Sequence, residues 1–79
     1  MRLPRNLSGD DLIKKLGRVG YHPVRQTGSH VRLVHETAGD KLTIPRHAEL
    51  RVGTAASILR KAAEQLGINR DELAARLFD

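Results

Sequence analysis

The apolar positions follow two rhythms, and the change between them divides the chain. Leu12, Ile13, Leu16 and Val19 recur at helical spacing. Ser8 stands ahead of them as a cap, Asp10 and Asp11 fall in the electropositive first turn, and Gly20 supplies a stop. This predicts a helix over residues 9–19, with Lys14, Lys15 and Arg18 off its apolar stripe. The rhythm then shortens to two. Residues 21–27 and 30–36 flank Gly28-Ser29, and glycine first in a two-residue loop suits a type II′ hairpin turn. That turn sets a register of Thr27 with His30, Gln26 with Val31, Arg25 with Arg32 and Val24 with Leu33. Side chains alternate between faces, so one face collects Val24, Val31 and Leu33. The other collects Arg25, Thr27, His30 and Arg32. Turn chemistry and hydropathy thus point to one hairpin.

Ala38-Gly39-Asp40 is a second turn, and residues 41–44 form a third strand with Leu42 and Ile44 inward and Lys41 and Thr43 outward. Pro45 ends it, because proline cannot donate to a ladder. A basic irregular segment follows over 46–52. Thr54 is the expected cap of a second helix with Ala55, Ile58, Leu59, Ala62, Ala63 and Leu66 on its apolar stripe and Gly67 as its stop. Asn69 with Glu72 has the form of a capping box for a last short helix carrying Leu73, Leu77 and Phe78. The expected fold is α+β, two layers in the order α-β-β-β-α-α, with a three-stranded antiparallel sheet and its helices on one face. The 79 residues make one domain. Residues 1–7 form an N-terminal leader with no assigned role.

Composition narrows the chemistry. The chain has no cysteine, which removes disulfides, thiolate nucleophiles and cysteine-based zinc sites and fits a reducing compartment such as the cytoplasm. Its aromatic side chains are Tyr21 and Phe78, too few for a platform that stacks single-stranded bases. No apolar run approaches the ~20 residues of a membrane span, and no signal-peptide stretch follows Met1. The net charge of +5 is unevenly spread: residues 12–35 carry five bases and no acid. Ten of the 14 basic residues are Arg, whose planar fork suits phosphate, so nucleic acid is the leading partner class. A merely solubilising basic surface is the plainer alternative.

His30 is the first candidate for chemistry. It follows the turn and shares the polar face with Arg32, about 7 Å along the strand. Arg25 faces Arg32 across the hairpin, and like charges placed opposite each other destabilise a sheet. A phosphate between them would make the repulsion a clamp, and a histidine beside a phosphodiester can transfer protons near neutral pH. A solvent-facing histidine on a basic sheet is the plainer account. Gly28 and Ser29 could let a phosphate approach the backbone, although turn chemistry alone also explains them. Lys41 adds an outward base for RNA contact; in the turn Pro45-Arg46-His47, Arg46 could contact RNA and His47 is a second proton-donor candidate, although a plain surface loop also accounts for both. His22 and His35 would oppose each other on the core-facing side. That pair could in principle bind a metal, but no third ligand is evident, so a structural role is favoured and neither a metal nor a cofactor is expected. No P-loop, dinucleotide fingerprint or nucleophile motif occurs.

The ordered set of Ser8-Gly-Asp-Asp-Leu-Ile-Lys-Lys-Leu, Gly20-Tyr21, Arg25-Gln-Thr-Gly-Ser-His30, Leu42-Thr-Ile-Pro45 with His47, and Gly53-Thr54 followed by Ile58-Leu59 resembles the HicA toxin family. The likeness runs from about Ser8 to Leu77. It implies a double-stranded-RNA-binding-domain-like fold, endoribonuclease cleavage of mRNA, and restraint by a HicB-type antitoxin. The histidine tied to activity in that family corresponds to His30, with Gly28 and Ser29 as motif neighbours. Two other classes stay open: a non-catalytic RNA-binding module, and an interaction protein that binds an acidic partner through the same face.

Overall fold

The computed structural model describes residues 3–79. Its elements run α1 (Gly9–Leu16), a 3-10 turn (Gly17–Val19), β1 (Tyr21–Thr27), β2 (His30–His35), β3 (Lys41–Pro45), α2 (Val52–Leu66) and α3 (Arg70–Phe78). The strands form one antiparallel sheet in the order β1-β2-β3. The architecture is the expected α+β one and is consistent with the double-stranded-RNA-binding-domain arrangement.

Helix α1 starts as its sequence requires. The Ser8 hydroxyl accepts from the Asp11 N–H at 2.9 Å, and the Asp11 carboxylate accepts from the Ser8 N–H at 3.2 Å. This reciprocal pair satisfies two otherwise orphaned donors. The Ser8 backbone bond, with its hydroxyl second, holds the Asp11 carboxyl below its usual range. The helix tightens into the 3-10 turn and stops at Gly20, whose φ of +101° favours glycine.

The core lies between the sheet and the helices. Leu12 and Leu16 of α1, Leu33 and Ile44 of the sheet, Leu59 of α2, and Leu73 and Leu77 of α3 are all 0% exposed. Such packing makes each of them worth about 2–5 kcal/mol on truncation to Ala. Leu7, 8% exposed, joins this core, and its carbonyl accepts from the Leu50 N–H at 2.7 Å. Of the leader over 1–7, Met1 and Arg2 lie outside the described residues.

Three expectations need correction. The first concerns β1. The register follows the turn for Thr27–His30, Gln26–Val31 and Arg25–Arg32, then a bulge intervenes and Pro23 pairs with Leu33. Val24 is therefore not on the core face but 54% exposed. Proline is tolerated here because β1 is an edge strand. The skipped residue reverses the faces beyond it, which turns the Tyr21 ring into the core at 2% exposure.

The second correction follows from the first. His22 pairs with Val34, not His35, and lies exposed. His35 pairs with Tyr21, its ring edge-on to the phenol at 5.1 Å between centroids. Its Nε2 lies 2.9 Å from the Val19 carbonyl, and its Nδ1 accepts from the Thr37 and Ala38 N–H groups, both at 3.2 Å. Two donors on Nδ1 place the ring proton on Nε2.

The third correction is the start of α2. Thr54 does not cap it: Arg51 occupies the cap position with extended backbone and no side-chain bond, and its carbonyl accepts from the Ala55 N–H at 3.0 Å. Leu50, anchored to Leu7, fixes the entry of the chain, so the helix begins before Thr54 is reached. The α3 cap is as expected on one side, with the Asn69 side chain accepting from the Glu72 N–H at 2.8 Å.

Candidate active site on the outer face of the sheet

The helices cover one face of the sheet and leave the other open. Strand pairing arranges that open face in three rows. Nearest the turn lie Thr27, His30 and Pro45; then Arg25, Arg32 and Thr43; then His22, Val34 and Lys41. The first two rows enclose a groove of about 270 Å³ lined by Arg25, Thr27, His30, Arg32 and Thr43.

His30 opens β2 between Thr27 and Pro45 and is exposed. Arg25 and Arg32 are direct cross-strand neighbours, as the turn register requires. Facing pairs place their Cβ atoms about 4.5–5.5 Å apart. Among the described residues, no hydrogen bond or ion pair engages the His30 ring or either guanidinium. Two forks and an imidazole therefore face one cavity with all their donors unspent. An anion placed between the forks would accept from both and remove their mutual repulsion.

The other expected site residues are distributed differently. Gly28 has φ +59° while Ser29 is not left-handed, the pattern of a type II′ turn, and a Cβ at Gly28 would meet nothing within 4 Å. The glycine is explained by backbone conformation rather than by crowding. The Ser29 carbonyl accepts from the Arg46 N–H at 2.6 Å. Arg46 itself is not in the groove. Its Nε and Nη2 donate to the Asp10 carboxylate at 2.8 and 3.1 Å, and its Nη1 donates to Gln26 at 3.2 Å. The Asp10 hydrogen bond raises its pKa. Lys41 is exposed on the outer face, one row beyond the groove. His47 lies in the loop after β3, where its carbonyl accepts from the Gly9 N–H at 2.9 Å, and it does not line the groove.

Thr43 was legible only as an outward residue of β3, and the structure makes it a groove wall beside Arg32. His22 joins the outer face because the bulge shifts it by one position; nothing in the local sequence reveals that. Among the described residues, no three metal-ligating side chains converge, and no helix is long and apolar enough to cross a membrane.

No curated protein and no solved structure matches the chain. A family profile does match, that of the HicA toxin of bacterial toxin-antitoxin systems, over residues 9–68. The matched stretch takes in α1, the whole sheet with its groove, and α2. With most of its length aligned to that profile, the chain belongs to the HicA toxin family of bacterial toxin–antitoxin systems.

Proposed function

We propose that the chain acts as an endoribonuclease on mRNA, with His30 as the proton-transfer group and the outer face of the sheet as the binding surface. The observation that carries this reading is the groove itself, where an unpartnered imidazole faces the Arg25–Arg32 pair. A phosphodiester bridging the two guanidiniums would lie beside His30. The imidazole takes the proton of the adjacent ribose 2′-hydroxyl, whose oxygen attacks phosphorus. A 2′,3′-cyclic phosphate forms, the bond to the 5′-oxygen breaks, and that oxygen leaves with a proton from water. The two forks stabilise the charge that gathers on the phosphoryl oxygens in the transition state. The mechanism calls for no metal ion. Lys41, one row beyond the groove on the side away from the turn, extends the cationic surface in that direction.

The antitoxin expected of this family is, on the same reading, a HicB-type protein that presents acidic groups to the groove and competes with RNA. Competition between purified antitoxin and RNA measures that directly.

Cleavage of an RNA oligonucleotide tests the reading. Wild-type protein should cut RNA in the presence of a chelator and leave DNA of the same sequence intact. His30→Ala should lose about 10²–10⁴-fold in rate, the usual worth of a general base or acid. Full activity in His30→Ala, or equal cutting of DNA, overturns the 2′-hydroxyl mechanism. Salt-sensitive binding without cleavage by wild type would make the chain the non-catalytic RNA-binding module instead.

A further inference from the structure

The turn that carries His30 is held from behind. Arg46 lies at the centre of that contact, and its donors reach the hairpin turn, β1 and α1. Its backbone N–H reaches the Ser29 carbonyl at 2.6 Å, immediately before His30. Its Nη1 reaches the Gln26 side chain at 3.2 Å, and Gln26 in turn donates to the Gly28 carbonyl at 2.9 Å. Its Nε and Nη2 form a fork on the Asp10 carboxylate, in the first turn of α1. A continuous series of bonds thus runs from the hairpin turn to the helix layer.

The backbone reinforces this. The Gly9 N–H donates to the His47 carbonyl at 2.9 Å. A Cβ at Gly9 would run into the Pro45 carbonyl oxygen and sit 2.9 Å from the Arg46 Cα. The segment after β3 therefore lies directly on the first turn of α1, and glycine at position 9 permits the approach.

Arg46 is also on the wrong side for RNA. Gln26 shares its row with Val31 and Ile44, which face the helices, whereas Thr27 and His30 face the groove. A phosphate in the groove would be across the sheet from the Arg46 fork. The Arg46–Asp10 pair is half-exposed, with side-chain exposures of 44% and 63%. Pairs of that kind contribute little to global stability, but a two-point fork fixes geometry.

We propose that Arg46 and Asp10 are positioning residues that hold the Gly28-Ser29 turn, and through it His30, in place, and that Arg46 makes no contact with RNA. The catalytic half of this statement rests on the reading of His30 given above. Loosening a general base by about 1 Å is enough to lower turnover by up to about 10²-fold without weakening substrate binding.

The test uses Asp10→Asn and Arg46→Lys, the second of which keeps the charge and loses the fork. Both should lower kcat about tenfold, leave KM for RNA unchanged, and leave the salt dependence of RNA binding at its wild-type slope. In the same proteins, amide exchange should quicken at Arg46 and the turn while Leu33, in the central strand, keeps its protection, which separates a loosened tip from a failed fold. Normal kcat with a raised KM in Arg46→Lys would overturn the proposal. So would tighter RNA binding in Asp10→Asn, the sign that a released Arg46 grips phosphate. A salt slope smaller by about 0.7 in Arg46→Gln, the loss of one phosphate contact, would overturn it as well. Should wild type fail to cleave RNA, the proposed function falls by itself. The exchange measurement then decides the clamp: unchanged exchange at the tip overturns it, and quickened exchange supports it.

Discussion

The two ends of the β1–β2 hairpin obey different masters. At the closed end the turn sets the register, and the Arg25, Gln26 and Thr27 pairings follow from Gly28-Ser29 residue by residue. At the open end the core sets it. One residue is skipped, Val24 goes out to solvent and Tyr21 goes in. Exchanging a buried Val for a buried Tyr is favourable in a domain with so small a core, because the larger ring removes more apolar area from water. The same shift carries His22 out to the row that runs through Val34 to Lys41. The outer face is thus the sum of a local rule at one end and a global demand at the other.

The strongest way to break this contrast is to exchange the importance of its two residues. Tyr21→Ala should cost about 3–5 kcal/mol, as for truncating a buried ring. Val24→Ala should fall within about 0.5 kcal/mol, as for an exposed site. A bulge-free strand would put the larger loss on Val24. Denaturant titration of the two variants decides between the registers, and comparable losses would mean that the bulge is not the ground state in solution.

A second comparison sets the same substitution at both ends. Gly28→Ala meets no atom within 4 Å and bears only its left-handed backbone, with φ +59°, which costs about 1–2 kcal/mol. Gly20→Ala has φ +101° and would place its Cβ 2.6 Å from His35 Nε2. His35 must then leave the Val19 carbonyl and its edge-on contact with Tyr21, so the loss should exceed that of Gly28→Ala by about 1 kcal/mol or more, the worth of a hydrogen bond to a partly buried group. Thermal melts of the pair read it. Equal shifts would show that His35 is not holding the open end.

These contrasts also explain what could be read in advance. The turn, both outer-face arginines, His30 and the inward residues of β2 and β3 depend on neighbours in sequence, and they were legible. The bulge was not, because it depends on how the whole core fills. Thr54 has the right chemistry for a cap, but the Leu50–Leu7 contact starts the helix at Val52. Arg46 reads as a phosphate ligand because its charge is visible in the sequence. Its partner, Asp10, is 36 residues away and becomes a neighbour only after β3 packs on α1.

The closed end should show a trade between stability and binding. Arg25→Thr removes the like-charge pair and should stabilise the fold by about 0.2–1 kcal/mol at low salt. It should also weaken RNA binding and reduce the log–log salt slope by about 0.7. Stabilisation with unchanged RNA affinity would show that the facing arginines serve no anion.

The smallest effect at neutral pH, and the most specific to the open end, concerns the Tyr21 hydroxyl. It donates to Gln65 at 2.5 Å, and Gln65 donates on to the Lys41 carbonyl at 2.9 Å, so the phenol ties β1 to α2 and β3. Burial, with the charge of Asp40 second, pushes its pKa up to about 12 from 10.0. A folded-state value above the unfolded one stabilises the fold fully below pH 10 and progressively less as pH rises to about 12. Ionisation also removes the proton that Gln65 accepts. Tyr21 is the sole tyrosine in the chain, so its ultraviolet titration can be followed without overlap. The midpoint should lie well above 10. In the same window the stability difference between wild type and Tyr21→Phe should shrink and then reverse, because the lysines titrate alike in both proteins and cancel. A midpoint near 10 would mean that the ring is hydrated, and that the core does not control the register of the open end.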